Sequence, residues 1–162
     1  MNIWIMRHGE AGLNTFTDSQ RTLTERGNMM AFEQGKWLAK RLIEQKVNLD
    51  AVFVSPYIRA QQTWFNVIKG MQAAKFEQNF AKITENWQGI TPSSNAQLVV
   101  DYLETIAAEK QNVFLISHLP LVFDLVQHLT QFQYSVHFYP AVIAEINYQD
   151  QQGKLIISQV PH

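Results

Sequence analysis

The chain has 162 residues, of which 46% are hydrophobic and 17% charged, with a formal net charge of -1 and no cysteine. A chain of this length supports one compact domain, expected here over residues 1–162, whose folding removes roughly two-thirds of the unfolded surface from water. The near-neutral balance gives no field that would gather nucleic acid or an anionic membrane, and the missing thiols exclude disulfide frameworks, cysteine catalysis and thiolate zinc sites. No apolar run reaches the ~18 residues of a membrane span, and Met1–Met6 lacks the basic stretch and length of a secretory leader, so a cytoplasmic protein is expected.

In chain order, Ile3–Met6 reads as a buried strand, continuous in apolar character rather than alternating. Thr24 reads as the N-cap of a helix running to about Gln45, with Gly27, Ala31, Gly35, Leu38 and Leu42 recurring at spacings of three and four and small enough to let it sit close to a sheet. Ala51–Val54 is a second buried strand. Ser55-Pro56 then has the form of an N-cap serine with proline at the first helical position. That helix is expected to reach Lys69, with Trp64, Val67 and Ile68 inward and Gly70 as its stop. Thr91–Ser94 reads as a loop, Asn95–Glu109 as a helix, Val113–Ile116 as a third buried strand and Pro120 to about Thr130 as a helix. Ala141–Tyr148 and Lys154–Val160, flanking residues 149–153, read as a hairpin. The alternation predicts an α/β fold: a mainly parallel central sheet with helices on both faces and an antiparallel C-terminal hairpin.

Each buried strand is followed at once by residues that a core strand would not choose. These are Arg7-His8-Gly9 after the first, Ser55 to Arg59 after the second, and Ser117-His118 after the third. Ligands of open α/β sheets bind beyond the carboxyl ends of the strands, so neighbouring strands would bring the three groups to one crevice. Taken singly, each has a plainer role, as a solvated loop arginine or a core histidine. Arg59 is less easily dismissed, because a cation in the first turn of a helix opposes the helix dipole unless an anion lies between them.

Two arginines, two histidines and helix N-termini around one crevice describe a receptor for a tetrahedral dianion, since guanidinium groups match phosphate oxygens through paired N–H bonds. Arg21, in the polar stretch Asn14–Arg21, is either a third clamp or a surface arginine on a loop. No phosphate-cradling glycine loop or acidic cluster follows these strands, so metal-dependent transfer has no ligands there, and no metal or cofactor is expected. Without cysteine, the nucleophile that remains is His8. Its neutral imidazole would attack phosphorus while Arg7, Arg59 and His118 hold the equatorial oxygens, with Gly9 leaving room for the phosphoryl group.

"RHGE" at Arg7–Glu10, "LTERG" at Leu23–Gly27, "SPYIRAQQT" at Ser55–Thr63 and "SH" at Ser117–His118 resemble, in order, the motifs of the histidine phosphatase superfamily, the phosphoglycerate mutase-like fold. The small size, "MRHGEA", the loop carrying Arg21 and "ISHLPLV" at Ile116–Val122 look most like its SixA-type phosphohistidine phosphatases. The resemblance implies His8 as nucleophile, phosphoryl binding by Arg7, Arg21, Arg59 and His118, no metal, and a phosphohistidine on a phosphotransfer signalling protein as substrate. Glu85 in "ITENWQG" lies roughly where ester-cleaving members carry an acid, and is read as a working acid, a relic or an exposed loop residue. The alternatives are a small-molecule phosphomonoesterase using Glu85, and a phosphate-binding module without turnover. Glu10 and Asp18 are read as orienting or screening arginines, and His128, His137 and His162 as structural or solvent-facing. A monomer is compatible with the sequence.

Overall fold

A computed structural model describes residues 1–13 and 15–162; Asn14, which opens the polar stretch, lies outside the described residues. Six strands form one sheet: β1 (Asn2–Arg7), β2 (Ala51–Val54), β3 (Thr84–Asn86), β4 (Asn112–Ser117), β5 (Ile143–Gln149) and β6 (Gln152–Gln159). Their order is β3-β2-β4-β1-β5-β6. The first four run parallel, while β5 is antiparallel to β1 and β6 to β5. Helices α1 (Glu25–Gln45) and α2 (Ile58–Ala73) cover one face, packing on Trp4, Met6, Val52, Val54, Phe114 and Ile116. Helices α3 (Ala96–Ile106) and α4 (Leu121–Leu129) cover the other, against Ile3, Ile5, Phe53, Val113 and Leu115. Residues 3–6 of β1 and 113–116 of β4 are buried on both sides, which is why they read as unbroken apolar runs. Among the described residues no helix is long and apolar enough to cross a membrane.

Caps decide the helix starts where the sequence offers them. Thr24 Oγ1 accepts from Gly27 N at 3.0 Å to open α1, and Asn95 Oδ1 accepts from Leu98 N at 3.1 Å to open α3. The second helix departs from expectation at both ends. It starts at Ile58, with Tyr57 as an N-cap that makes no side-chain bond, while Ser55, two residues earlier, directs its Oγ to His118 Nε2. It also runs past Gly70 to Ala73. A Cβ on Gly70 would overlap the Phe32 carbonyl oxygen of α1, and one on Gly35 would overlap that of Val67 in α2. These glycines are helix–helix contact points, so Gly70 does not stop α2, and Gly35 serves a neighbouring helix rather than the sheet.

Other features differ from expectation. Helix α3 ends at Ile106, where Lys110 N bonds back to the Ile106 carbonyl at 2.8 Å. The hairpin turn has only two central residues, Asp150 and Gln151, both at positive φ (52° and 62°), the geometry that suits the twist of paired strands. The short edge strand β3 was not expected: three residues, two of them exposed, carry too little apolar pattern to stand out.

Candidate active site

The sheet order places β4 between β1 and β2, so the three strand ends are neighbours, with Arg7 paired to Ser117 and Val54 to Ile116. The ladder continues one residue further through His8 N to Ser117 O at 3.0 Å and Ser55 N to Ile116 O at 3.0 Å. His8 and His118 therefore stand side by side, with ring centroids 5.1 Å apart. They are 6% and 1% exposed.

His8 is held at both ring nitrogens. Nδ1 lies 2.7 Å from the Gly9 carbonyl, which can only accept, so the Nδ1 proton donates there and Nε2 presents its lone pair. Arg59 Nε donates to that lone pair at 3.2 Å. Burial pushes the His8 pKa from 6.5 down to about 3; the Gly9 bond pulls the other way, and the charges of Arg59, Arg7 and Arg21 add to the lowering. The ring is thus neutral near pH 7. Contrary to the expectation that Gly9 leaves room for the phosphoryl group, the space beside it is taken by the backbone of Gly27. A Cβ there would come within 2.6 Å of the Gly27 carbonyl oxygen, so its lack of a side chain lets the first turn of α1 close on the loop.

Arg59 lies in the first turn of α2 but is only 3% exposed. Its guanidinium lies over the Tyr57 ring at 5.0 Å and donates through Nη1 to the Asp18 carbonyl at 2.6 Å and through Nη2 to Asp18 Oδ2 at 3.2 Å. Asp18 is thus the anion that relieves a cation at a helix start. Arg21 shares it, donating through Nη1 to Asp18 Oδ1 at 3.2 Å and through Nε to the Gly12 carbonyl at 2.8 Å. Desolvation raises the Asp18 pKa, but hydrogen bonds from Arg21 and Arg59 and their charges outweigh it and hold the carboxyl below its usual range. Arg7 Nη1 donates to the Phe138 carbonyl at 2.9 Å. Ala141, at φ 66°, turns the chain so that its N–H reaches the His8 carbonyl at 3.0 Å. Burial, then the charges of Arg21 and Arg59, lower the Arg7 pKa, though a guanidinium keeps its charge at neutral pH.

His118 Nε2 lies 2.6 Å from Ser55 Oγ, and Tyr57 packs edge-on against its ring at 5.0 Å. Desolvation, then the charges of His8 and Arg59, lower its pKa to about 3. Two buried side-chain nitrogens lack a hydrogen-bond partner among the described residues, Arg7 Nε and His118 Nδ1. Both belong to this cluster. A buried donor without a partner costs about 1–3 kcal/mol, which an entering oxyanion would offset.

His8, Arg7, Arg59, His118 and Arg21 are thereby brought together. The family model of the histidine phosphatase superfamily (branch 1) matches residues 3–115. The chain belongs to the histidine phosphatase superfamily. Within this superfamily it is 40% identical over 161 residues to a "Phosphohistidine phosphatase SixA homolog" of Haemophilus influenzae, covering 98% of this chain and 95% of that protein. It is 35% identical over 147 residues to "Phosphohistidine phosphatase SixA" of Escherichia coli, covering 90% and 84%. A solved structure of the protein histidine phosphatase SixA complexed with tungstate superposes with a TM-score of 0.81 at 33% identity, covering 99% and 97%. A phosphoglycerate mutase from Bacillus anthracis, 17% identical with a TM-score of 0.68 over 96% and 91%, shares the fold.

Other residues singled out from the sequence fall outside the cluster. Glu85 lies on β3 with an exposed side chain; it pairs in register with Phe53, which faces the α3–α4 layer. Glu10 accepts from Thr24 Oγ1 at 2.9 Å and lies 3.9 Å from Arg26, so the arginine it meets is a surface one. His128 bonds Gln97, His137 stacks on Tyr139 and His162 bonds Gln159. Two side chains take roles in the site that the sequence reading did not give them: Ser55, placed at the crevice but read as a helix cap, and Thr63, whose Oγ1 accepts from Gly9 N at 3.0 Å and donates to the Arg59 carbonyl at 2.7 Å. The i, i+4 spacing of Arg59 and Thr63 on one helix face was the available signal for the latter. A cavity of about 640 Å³ lined by Gln131, Tyr134, Asn147 and Lys154 lies at the far end of the sheet, where Asn147 pairs with Asn2.

Proposed function

We propose that the protein is a cytoplasmic phosphohistidine phosphatase, acting without a metal on the phosphohistidine of a phosphotransfer signalling protein through a phosphorylated His8. The observation that carries this reading is the neutral His8 Nε2 facing Arg59, beside the two partnerless nitrogens of Arg7 and His118. The names of the SixA relatives support the choice of substrate.

In the proposed reaction the Arg59–Nε2 contact opens and the Nε2 lone pair attacks phosphorus in line. The P–N bond of the donor breaks, and its electron pair leaves with the donor imidazole, which takes a proton from solvent. Water then attacks the phosphoryl group on His8, the Nε2–P bond breaks, and inorganic phosphate departs with the ring neutral again. The Nδ1–H···Gly9 bond keeps the ring aligned through both steps. Arg7, Arg59, Arg21 and His118 Nδ1–H stabilise charge on the equatorial oxygens. Imidazole leaves without an acid catalyst more readily than an alkoxide does, which fits an exposed Glu85 that faces away from the α1–α2 side of the sheet.

The test is phosphate release from a histidine-phosphorylated phosphotransfer domain. Wild type and Glu85→Gln should turn over at similar rates, with or without EDTA, and His8→Ala should be inactive. Activity that persists in His8→Ala, or that EDTA abolishes, overturns the mechanism. Loss of most turnover in Glu85→Gln would point instead to an ester phosphatase.

A further inference from the structure

We propose that Ser55 is a positioning residue that fixes the tautomer of His118, keeping its proton on Nδ1 as a donor for the phosphoryl group. Ser55 is fully buried, and each of its polar groups has one assignable task. Its N–H donates to the Ile116 carbonyl at 3.0 Å, and its carbonyl accepts from Gln61 Nε2 at 2.8 Å. Its Oγ accepts the Tyr57 N–H at 3.3 Å, which leaves the hydroxyl proton. The partner for that proton is His118 Nε2 at 2.6 Å, a short distance suited to a buried O–H···N bond. A ring that accepts at Nε2 and is uncharged must carry its proton on Nδ1. That atom is the one left buried and partnerless beside Arg7 Nε.

The alternative tautomer would turn a lone pair toward any oxyanion in the site, and two lone pairs repel. Tyr57 adds to the constraint. Its backbone supplies the bond to Ser55, while its ring lies against both His118 and Arg59, at 5.0 Å each, so the segment after β2 sets the orientation of two phosphoryl-binding groups at once.

The inference rests on the phosphatase reading for its purpose, while the tautomer itself is a property of the free protein. Long-range ¹H–¹⁵N spectra of histidine-labelled wild type, with His118 assigned by its loss in His118→Asn, should show a protonated Nδ1 and a bare Nε2 near pH 7. Adding tungstate should move the Nδ1 signal. Ser55→Ala should mix or invert the tautomers and weaken tungstate binding at least about tenfold, the loss expected for one hydrogen bond to a charged group. A wild-type ring protonated on Nε2 overturns the proposal without any variant, as does Ser55→Ala with the wild-type tautomer and unchanged tungstate affinity. Absence of phosphohistidine turnover together with the expected spectra would refute the substrate and leave the role of Ser55 standing.

Discussion

Lowering the pH from 7 to 5 should cost the folded protein up to about 4 kcal/mol through His8 and His118 alone. Desolvation is the largest cause in both rings and holds each pKa at about 3 against an ordinary 6.5. Between pH 6.5 and about 3 the unfolded chain therefore binds protons that the folded one refuses, and stability falls as the pH falls through that window. At pH 5 each unfolded histidine has gained about 2 kcal/mol from protonation relative to its buried counterpart. Urea unfolding at pH 7, 6 and 5 in phosphate-free buffer measures this, with the buried Trp4 and Trp64 as fluorescence reporters. The double variant His8→Asn, His118→Asn should lose most of the dependence. Equal stability at pH 7 and 5 in wild type, or an undiminished loss in the double variant, would refute buried neutral histidines. The same depression predicts that turnover does not collapse near pH 6.5, where an ordinary histidine nucleophile would protonate.

Two further perturbations test the scaffold. Gly70→Ala gains about 1 kcal/mol of helix propensity. It nevertheless drives a methyl into the Phe32 carbonyl of α1, so a net loss of about 1–2 kcal/mol is expected in urea unfolding, and a stabilised variant would contradict the backbone contact. Glu145, 4% exposed, accepts from Trp4 Nε1 at 2.8 Å and pairs with Arg41 at 2.7 Å. Glu145→Ala leaves a buried indole N–H without a partner and Arg41 with only Glu44 at 3.8 Å, and should cost about 1–3 kcal/mol; a change in thermal midpoint equivalent to less than about 1 kcal/mol would show the pair to be dispensable.

The central strands were legible because a parallel strand buried on both faces needs an unbroken apolar run. The crevice was legible because a polar residue directly after such a run can only stand at the strand's carboxyl end. Thr24 was readable as a cap because its partner lies three residues away. Other readings failed where the deciding partner is distant in sequence. Ser55 has the local form of a cap, yet its hydroxyl meets His118, 63 residues on. Gly70 has the form of a stop, yet the approach of α1 decides its role, and the same holds for Gly9 and the Gly27 backbone. For Glu85, read from the sequence as a working acid, a relic or an exposed loop residue, it is the strand register that places it, exposed, with Phe53 on the α3–α4 face. Local patterning by itself marked the buried central strands, the main helices and the strand ends at which the candidate site stands. Only the tertiary structure decided which donor meets which acceptor, because a hydrogen bond or a close contact depends on atoms that the fold, not the order of residues, brings within reach.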